Sequence, residues 1–348
     1  MPAEAKRKGR GGCLAAIARL AARLALLAVA VAWVTETVWG ETTWVTALIT
    51  YTPPLASLAL PALAGALGWI ARERQALVTA LVALAVALGT VARPSINRHE
   101  GLMRTMQSVR IVTWNLHNRV AGLPAIKAQL EALKPDIVCL QEAYDKRFLD
   151  ALPGAESARL SELVTLSRLK VVHSGPVQHP PRHRDLRVPL EVRVETSMGE
   201  LSVLNVHLFS YRPLPASELW SRSTRRHVLQ AIQFRSEGLD LVEQWLGEQP
   251  GPNVVAGDFN TPPRGRLYAR VASRLTDSFY ATGNGFGWTF PREFPLWRID
   301  YVWVGKGVRA LDCRPVSCPP SDHLPVVADL RIVDQRRLDS VSYVGPTS

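Results

Sequence analysis

The 348-residue sequence predicts a mixed α/β domain carried behind a group of membrane-spanning helices. Three observations predict it. Long stretches rich in Ala, Leu, Val and Trp crowd the region before residue 100. Beyond Arg104, short β-branched runs between turn signals alternate with helical patterns. Residues suited to metal and proton-transfer chemistry follow directly on several of those apolar runs.

The apolar region divides into Leu20–Trp39, Trp44–Ile70 and Ala76–Ala92. A helix needs about 20 apolar residues to cross the hydrocarbon core. The first two stretches reach that length, and the third reaches it with its flanks. Pro53, Pro54 and Pro61 fall within the second, and membrane helices tolerate such interruptions. A soluble bundle would show a helical stripe with polar intervals, whereas these segments are apolar around almost the whole circumference. A cleaved signal peptide would leave two further apolar segments unexplained. Lys6, Arg7, Lys8, Arg10, Arg19 and Arg23 precede or begin the first stretch, Glu36 and Glu41 follow it, and Arg72 and Arg74 lie between the second and third. The positive-inside rule then places residues 1–19, a basic tail, and the Arg72 loop in the cytoplasm. With three crossings in residues 20–100, the protein is expected to be multi-pass in the cell membrane, with residues 103–333 extracytoplasmic and 334–348 a polar tail.

Within the large domain, strands are expected at Arg110–Trp114, Ile137–Leu140, Leu163–Leu166, Val188–Glu195, Leu201–Leu208, Asn253–Ala256, Arg298–Val304 and Val326–Ile332. Helical spacing marks Pro124–Leu133 and Arg226–Leu246. The fourth and fifth strands form a hairpin around Ser197-Met198-Gly199. Packed sheets with flanking helices satisfy this pattern. Of the four cysteines, Cys139 lies in an apolar run and is expected in the core. Cys313 and Cys318 are close enough in sequence to bridge in an exported domain.

Asn115, Gln141-Glu142, His207 and Asp258-Phe259-Asn260 each follow an apolar strand, Asp300 follows Arg298-Ile299, and Asp322-His323 precedes one. Taken singly they are ordinary: Gly257-Asp258-Phe259-Asn260 is a good turn sequence, and a lone histidine is more often a satisfied side chain. Strand ends bring distant residues to one rim of a sheet. There carboxylates, carboxamides and imidazoles can surround a hard cation and a phosphate.

In this order, Thr113-Trp114-Asn115, Asp136-Ile137-Val138-Cys139-Leu140-Gln141-Glu142, Leu166-Ser167-Arg168, Asn205-Val206-His207-Leu208, Gly257-Asp258-Phe259-Asn260, Arg298-Ile299-Asp300-Tyr301 and Ser321-Asp322-His323 resemble the endonuclease/exonuclease/phosphatase superfamily, over residues 109–332. The resemblance implies a four-layer α/β/β/α sandwich and Mg²⁺- or Mn²⁺-assisted hydrolysis of a phosphate ester. Residue by residue, it implies Glu142 as the principal metal ligand, with Asn115 and Asp322 as companions, an oxygen set suited to Mg²⁺. Asp258 matches the group that positions or deprotonates the attacking water. Asn260 matches a carboxamide on the phosphoryl oxygens. His323 matches the imidazole at the scissile phosphate, oriented by Asp300. His207 matches a second histidine that contacts phosphate or assists the leaving oxygen. The sequence departs from the pattern in two places. Between Ala143 and Ser161 no acid is found to pair with His207. The catalytic tyrosine of abasic-site endonucleases has no counterpart, which argues against DNA repair.

The net charge of +11 (41 basic, 30 acidic) divides into +5 in residues 1–100 and +6 beyond them, and favours an anionic partner. Two substrates fit an anchored phosphodiesterase. Nucleic acid suits the basic segments 179–184 and Arg222, Arg225, Arg226 and His227. A phospholipid or lipid-linked headgroup suits a domain tethered to the lipid bilayer, with Phe209, Tyr211, Leu214, Leu219 and Trp220 reaching the interface. The competing reading is a catalytically inactive binding or scaffold module on the same anchor. Retention of the polar set speaks against it.

Overall fold

The computed structural model describes residues 2–97, 108–117, 122–178, 183, 186–210, 221–318 and 321–333, with side chains from Gly12 onward. The basic segment 179–184 (His183 apart), Tyr211, Leu214, Leu219, Trp220 and the 334–348 tail lie outside the described residues. The chain forms two compact units. One runs to Pro94 and includes Arg264–Arg266, and the other takes up the chain from Ser95.

In the first unit, α1 (Pro2–Val34) continues through a π-helical turn to Trp39. The segment expected as a separate basic tail is thus the start of this helix. Gly12–Trp39 and Arg74–Ala92 are each long and apolar enough to cross a membrane. The expected second span is instead broken. α2 (Trp44–Thr50) and α3 (Pro54–Ile70) meet at 72°. Pro53 and Pro54 cause the break, because proline disfavours helix in the residue before it and lacks the N–H the helix needs. α3 then runs back towards the start of the first span, and Glu73 at its end accepts from Arg19 Nη1 at 2.8 Å. Glu73 also caps α4 (Arg74–Ala87) through the Gln75 amide. Ala18, Ala22, Ala64, Ala76 and Ala80 fill the seam between these helices, where small side chains let backbones approach.

The second unit holds two six-stranded sheets. The first has the order β11 (Val308–Pro315), β12 (Val326–Ile332), β1 (Ser108–Asn115), β2 (Ile137–Gln141), β4 (Leu163–Ser167), β3 (Glu156–Leu160). The second has the order β5 (Val171–Pro176), β6 (Leu190–Thr196), β7 (Gly199–His207), β8 (Asn253–Asp258), β10 (Asp300–Val304), β9 (Thr276–Asp277). Alternate residues of both face inward and form one apolar core, including Ile111, Ile137, Cys139, Val192, Val203, Val254, Ala256, Val302 and Ala328. Residues of opposite parity meet the helices outside. Val112, Trp114 and Val138 pack on α5 (Leu123–Leu133) through Ile126 and Leu130. Leu204, Val255 and Trp303 pack on α6 (Arg222–Glu248) and α7 (Gly265–Ala272) through Leu239, Val242, Trp245, Leu267 and Val271. This gives the four layers. A further short helix, α8 (Ser278–Thr282), sets Phe279 into the inter-sheet core.

The sheets are also tied by buried amides. Gln141 Nε2 on β2 donates to Asn205 Oδ1 on β7 at 2.8 Å, and Asn205 Nδ2 donates to the carbonyls of Leu140 and Val164. Cys139 is buried as expected. Cys313 and Cys318 are both free thiols in different core clusters, so they form no bridge here. Burial raises the Cys139 and Cys318 thiols to about 12.

Gly257 on β8 lies against β7 with φ +151°, where an added Cβ would stand 1.8 Å from Val206 O. Gly257→Ala is therefore expected to lose at least about 1–3 kcal/mol from backbone strain alone, read as a lowered urea midpoint. An unchanged midpoint would show that the strands can separate there freely.

Candidate active site

Strand pairing assembles the site. β1 and β2 run parallel with Asn115 opposite Gln141, which leaves Glu142 as the next residue beyond the sheet. β7 and β8 run parallel with His207 opposite Asp258, and β8 and β10 are antiparallel with Asp300 opposite Asp258. Asn115, His207, Asp258 and Asp300 are thus terminal residues of their strands, at one rim of the sandwich. Glu142 takes φ +54° and Asn260 φ +48°, values uncommon outside glycine that concentrate at functional sites.

Asp258 is the hub. Its Oδ2 accepts from Asn115 Nδ2 at 3.0 Å and lies 3.7 Å from His207 Nε2, while Oδ1 accepts the Asn260 amide at 2.8 Å. Asn115 Nδ2 also faces Glu142 Oε1 at 3.3 Å, and that oxygen lies 3.9 Å from His207 Nε2. The Asn260 side chain turns away to the Leu208 carbonyl. His323 meets Asp300 through Nδ1, at 2.9 and 3.2 Å to the two oxygens. Ser321 fixes this arm by donating to the Asn115 carbonyl and accepting the His323 amide.

Burial opposes a charge on His323. The Asp300 carboxylate and its hydrogen bond, with Asp258 and Asp322 behind it, outweigh burial and raise the imidazole to about 10. The pKa is raised above the free value of about 6.5, so the ion pair stabilises the fold fully below that pH. The contribution declines as pH rises and is lost near 10.

Asp322 is reached through a residue the sequence reading did not single out. His117, with φ +46°, places Nδ1 2.9 Å from Asp322 Oδ2, and its amide donates to Asn115 Oδ1 at 2.9 Å. Two more residues were missed. Glu162, one position beyond the stretch searched for an acid, sits in the β3–β4 turn with Oε1 3.6 Å from His207 Nδ1. It supplies the carboxylate partner of His207. Burial would raise the Glu162 carboxyl, but the adjoining His207 imidazole, Ser161 and its own backbone hold it near 2. Arg187 contacts His207 Nε2 through Nη1, and its Nε lies 3.5 Å from Glu162 Oε1. A guanidinium can only donate, so Nε2 accepts and the ring proton sits on Nδ1, facing Glu162. Glu162→Gln is expected to lower turnover about tenfold or more by loosening that tautomer, with little change in the urea midpoint. Equal loss in both readouts would mark Glu162 as merely structural.

The site also meets a test of fit for a divalent cation. Glu142 and Asp258 turn carboxylate oxygens, the donor type that hard cations prefer, to one point. Asn115 meets them through Nδ2, with Oδ1 on the His117 amide, so its carboxamide would have to turn over to offer oxygen there. Asp258, Asp300 and His323 bring three ligand atoms within 4.8 Å of one another, but Asp300 is already committed to His323. The Glu142–Asn115–Asp258 group therefore suits the ion better.

A profile of the Endonuclease/Exonuclease/phosphatase family matches residues 112–323. The Escherichia coli K12 protein YbhP, itself uncharacterized, is 23% identical over 252 residues, spanning 65% of this chain and 97% of its own. Among solved structures, an endonuclease/exonuclease/phosphatase from Bacteroides vulgatus superposes with TM-score 0.52 at 18% identity, covering 65% of this chain and 99% of that one. A mannosyl-6-phosphatase from Bacteroides thetaiotaomicron gives 0.50 at 18%, covering 64% and 99%. These likenesses concern the fold. Fold and profile together define a hydrolase of the phosphoesterase and nuclease type. The chain belongs to the endonuclease/exonuclease/phosphatase family, whose members generally use a divalent metal.

Proposed function

We propose that the protein is a membrane-anchored, Mg²⁺- or Mn²⁺-dependent phosphodiesterase whose catalytic unit faces away from the cytoplasm. The convergence of Glu142, Asn115 and His207 on Asp258, next to the Asp300–His323 ion pair, carries this reading. Glu142 and Asn115 would hold the ion, with Asp322 supporting the same rim through His117. When bound, the cation supplies Lewis-acid stabilisation of charge on the phosphoryl oxygens. Asp258 takes the proton of the attacking water as its oxygen bonds to phosphorus. The bond to one ester oxygen breaks, and that oxygen takes a proton, leaving a phosphomonoester and an alcohol. With its pKa raised to about 10, His323 is protonated at neutral pH, so it acts as a cationic donor towards the phosphoryl group. His207, with Nε2 against Arg187, lies beside Asp258 and Glu142. Asn260, whose amide fixes Asp258, positions that base.

The anchor reading rests on the apolar helices. With α2 and α3 counted as one broken span, three segments are long and apolar enough to cross. Arg19, Arg72 and Arg74 then mark the cytoplasmic side.

The test uses the purified full chain in detergent with bis-p-nitrophenyl phosphate. Turnover is expected with Mg²⁺ or Mn²⁺, to vanish with EDTA and to return on adding back either metal. Failure of every metal condition across several diesters would favour the scaffold module instead.

A further inference from the structure

Residues 283–297 form a loop whose sequence, Gly-Asn-Gly-Phe-Gly-Trp-Thr-Phe-Pro-Arg-Glu-Phe-Pro-Leu-Trp, is unusually aromatic. Its far half is a hairpin closed by backbone bonds between Phe290 and Trp297. The Phe290 ring packs on the His323 imidazole at 4.7 Å between centroids. The Arg292 amide donates to the Asp322 carbonyl. The hairpin is therefore a wall of the active site. Its tip presents Phe294, 62% exposed, and its near half carries the stacked pair Phe286 and Trp288.

The base of the same loop is tied to the chain that leaves the last apolar helix. Ser95 and Gly285 exchange both backbone hydrogen bonds. Asn97 Nδ2 donates to the carbonyls of Tyr280 and Gly283, and the Asn97 amide donates to Asn284 Oδ1. Between them Ile96 is 81% exposed. Ile96 and Phe294 are the two most exposed large apolar side chains described in the catalytic unit. Neither position is needed by the fold or by the chemistry derived above. Ser95 lies three positions beyond Ala92, where the apolar segment ends. Extended chain reaches about 3.3–3.6 Å per residue, or about 10 Å over that interval. The loop base is thus leashed to the end of the apolar segment by a short length of chain.

We infer that this aromatic loop seats in the headgroup layer of the anchoring membrane and that the substrate is a phosphodiester of a membrane lipid, delivered from that layer to His323. This rests on the phosphodiesterase reading and narrows it. Aromatic and aliphatic side chains at such a level partition into the interface. A short tether holds lipid phosphate at high effective concentration. Water attacks the lipid phosphorus, the leaving ester oxygen departs with a proton, and the cleaved parts are a phosphomonoester and an alcohol.

The full chain would be reconstituted in vesicles of phosphatidylglycerol, phosphatidylethanolamine, phosphatidylinositol and sphingomyelin with Mg²⁺ or Mn²⁺. Lipid phosphate products and bis-p-nitrophenyl phosphate hydrolysis are measured in the same preparation. Wild type is expected to cleave at least one lipid. Phe294→Asp should lower lipid turnover tenfold or more while soluble-diester turnover stays within twofold, and Phe294→Trp should retain both. Ile96→Asp should repeat the selective loss without touching the hairpin. Soluble diester cleaved but no lipid cleaved would overturn the inference and leave the phosphodiesterase reading standing. So would equal loss on both substrates in the Asp variants, or plasmid DNA or RNA cleaved faster than any lipid. No hydrolysis of either substrate by wild type would overturn both.

Discussion

His323→Ala is expected to slow metal-dependent hydrolysis of bis-p-nitrophenyl phosphate by about 10²–10⁴-fold. That corresponds to roughly 3–5.5 kcal/mol of lost transition-state stabilisation. The ring is buried, charged and fixed from behind by Asp300, so little reorganisation is needed as charge builds on the phosphoryl group. Asp300→Asn tests the same unit from its other side. It removes the charge that keeps the imidazole protonated and should move the alkaline limb of the pH–rate profile down from near 10 towards neutrality. The two residues act as one device, so the double variant should cost little more than His323→Ala alone. Additive losses, or a wild-type rate in folded His323→Ala, would remove His323 from the reaction.

Glu142→Ala is the second large effect. The carboxylate lies at a backbone position held in the left-handed region, facing Asn115 and within 4 Å of His207. Its loss should remove most turnover and raise the Mg²⁺ concentration for half-maximal rate tenfold or more. Isothermal titration of Mn²⁺ gives a readout independent of catalysis. Wild-type Mn²⁺ binding by the variant would place the ion elsewhere, with the Asp258–Asp300–His323 group the next place to look.

The strands that hold the site were legible because they lie in the middle of the sheets, where both faces are covered and apolar runs are continuous. Four strands escaped notice: Glu156–Leu160, Val171–Pro176, Thr276–Asp277 and Val308–Pro315. Each is the edge strand of its sheet. An edge strand is partly exposed, carries polar residues, and blurs the pattern that sequence reading depends on. Glu162 escaped for a related reason. It occupies a tight turn beside an edge strand, and it gains meaning only when the two sheets close and bring His207, 45 positions later, against it. Arg187 and His117 likewise act through contacts with no local signature. The expected interfacial residue Phe209 packs on His227 and Phe234 instead. The aromatic hairpin at 290–297 has no strand signature in the sequence, because its two prolines and the glycines just before it read as ordinary loop.

The amide link between Gln141 and Asn205 has a consequence for how the reaction centre keeps its shape. Glu142 is the residue after Gln141, and His207 is two beyond Asn205. An apolar interior alone would let stacked sheets glide by a fraction of a residue with small penalty, since dispersion forces have no direction. Directional bonds across the dry interior forbid that glide, because any slip orphans several buried donors at once. Acid and imidazole from opposite halves of the sandwich therefore arrive prealigned, 3.9 Å apart, before any ion or ester enters.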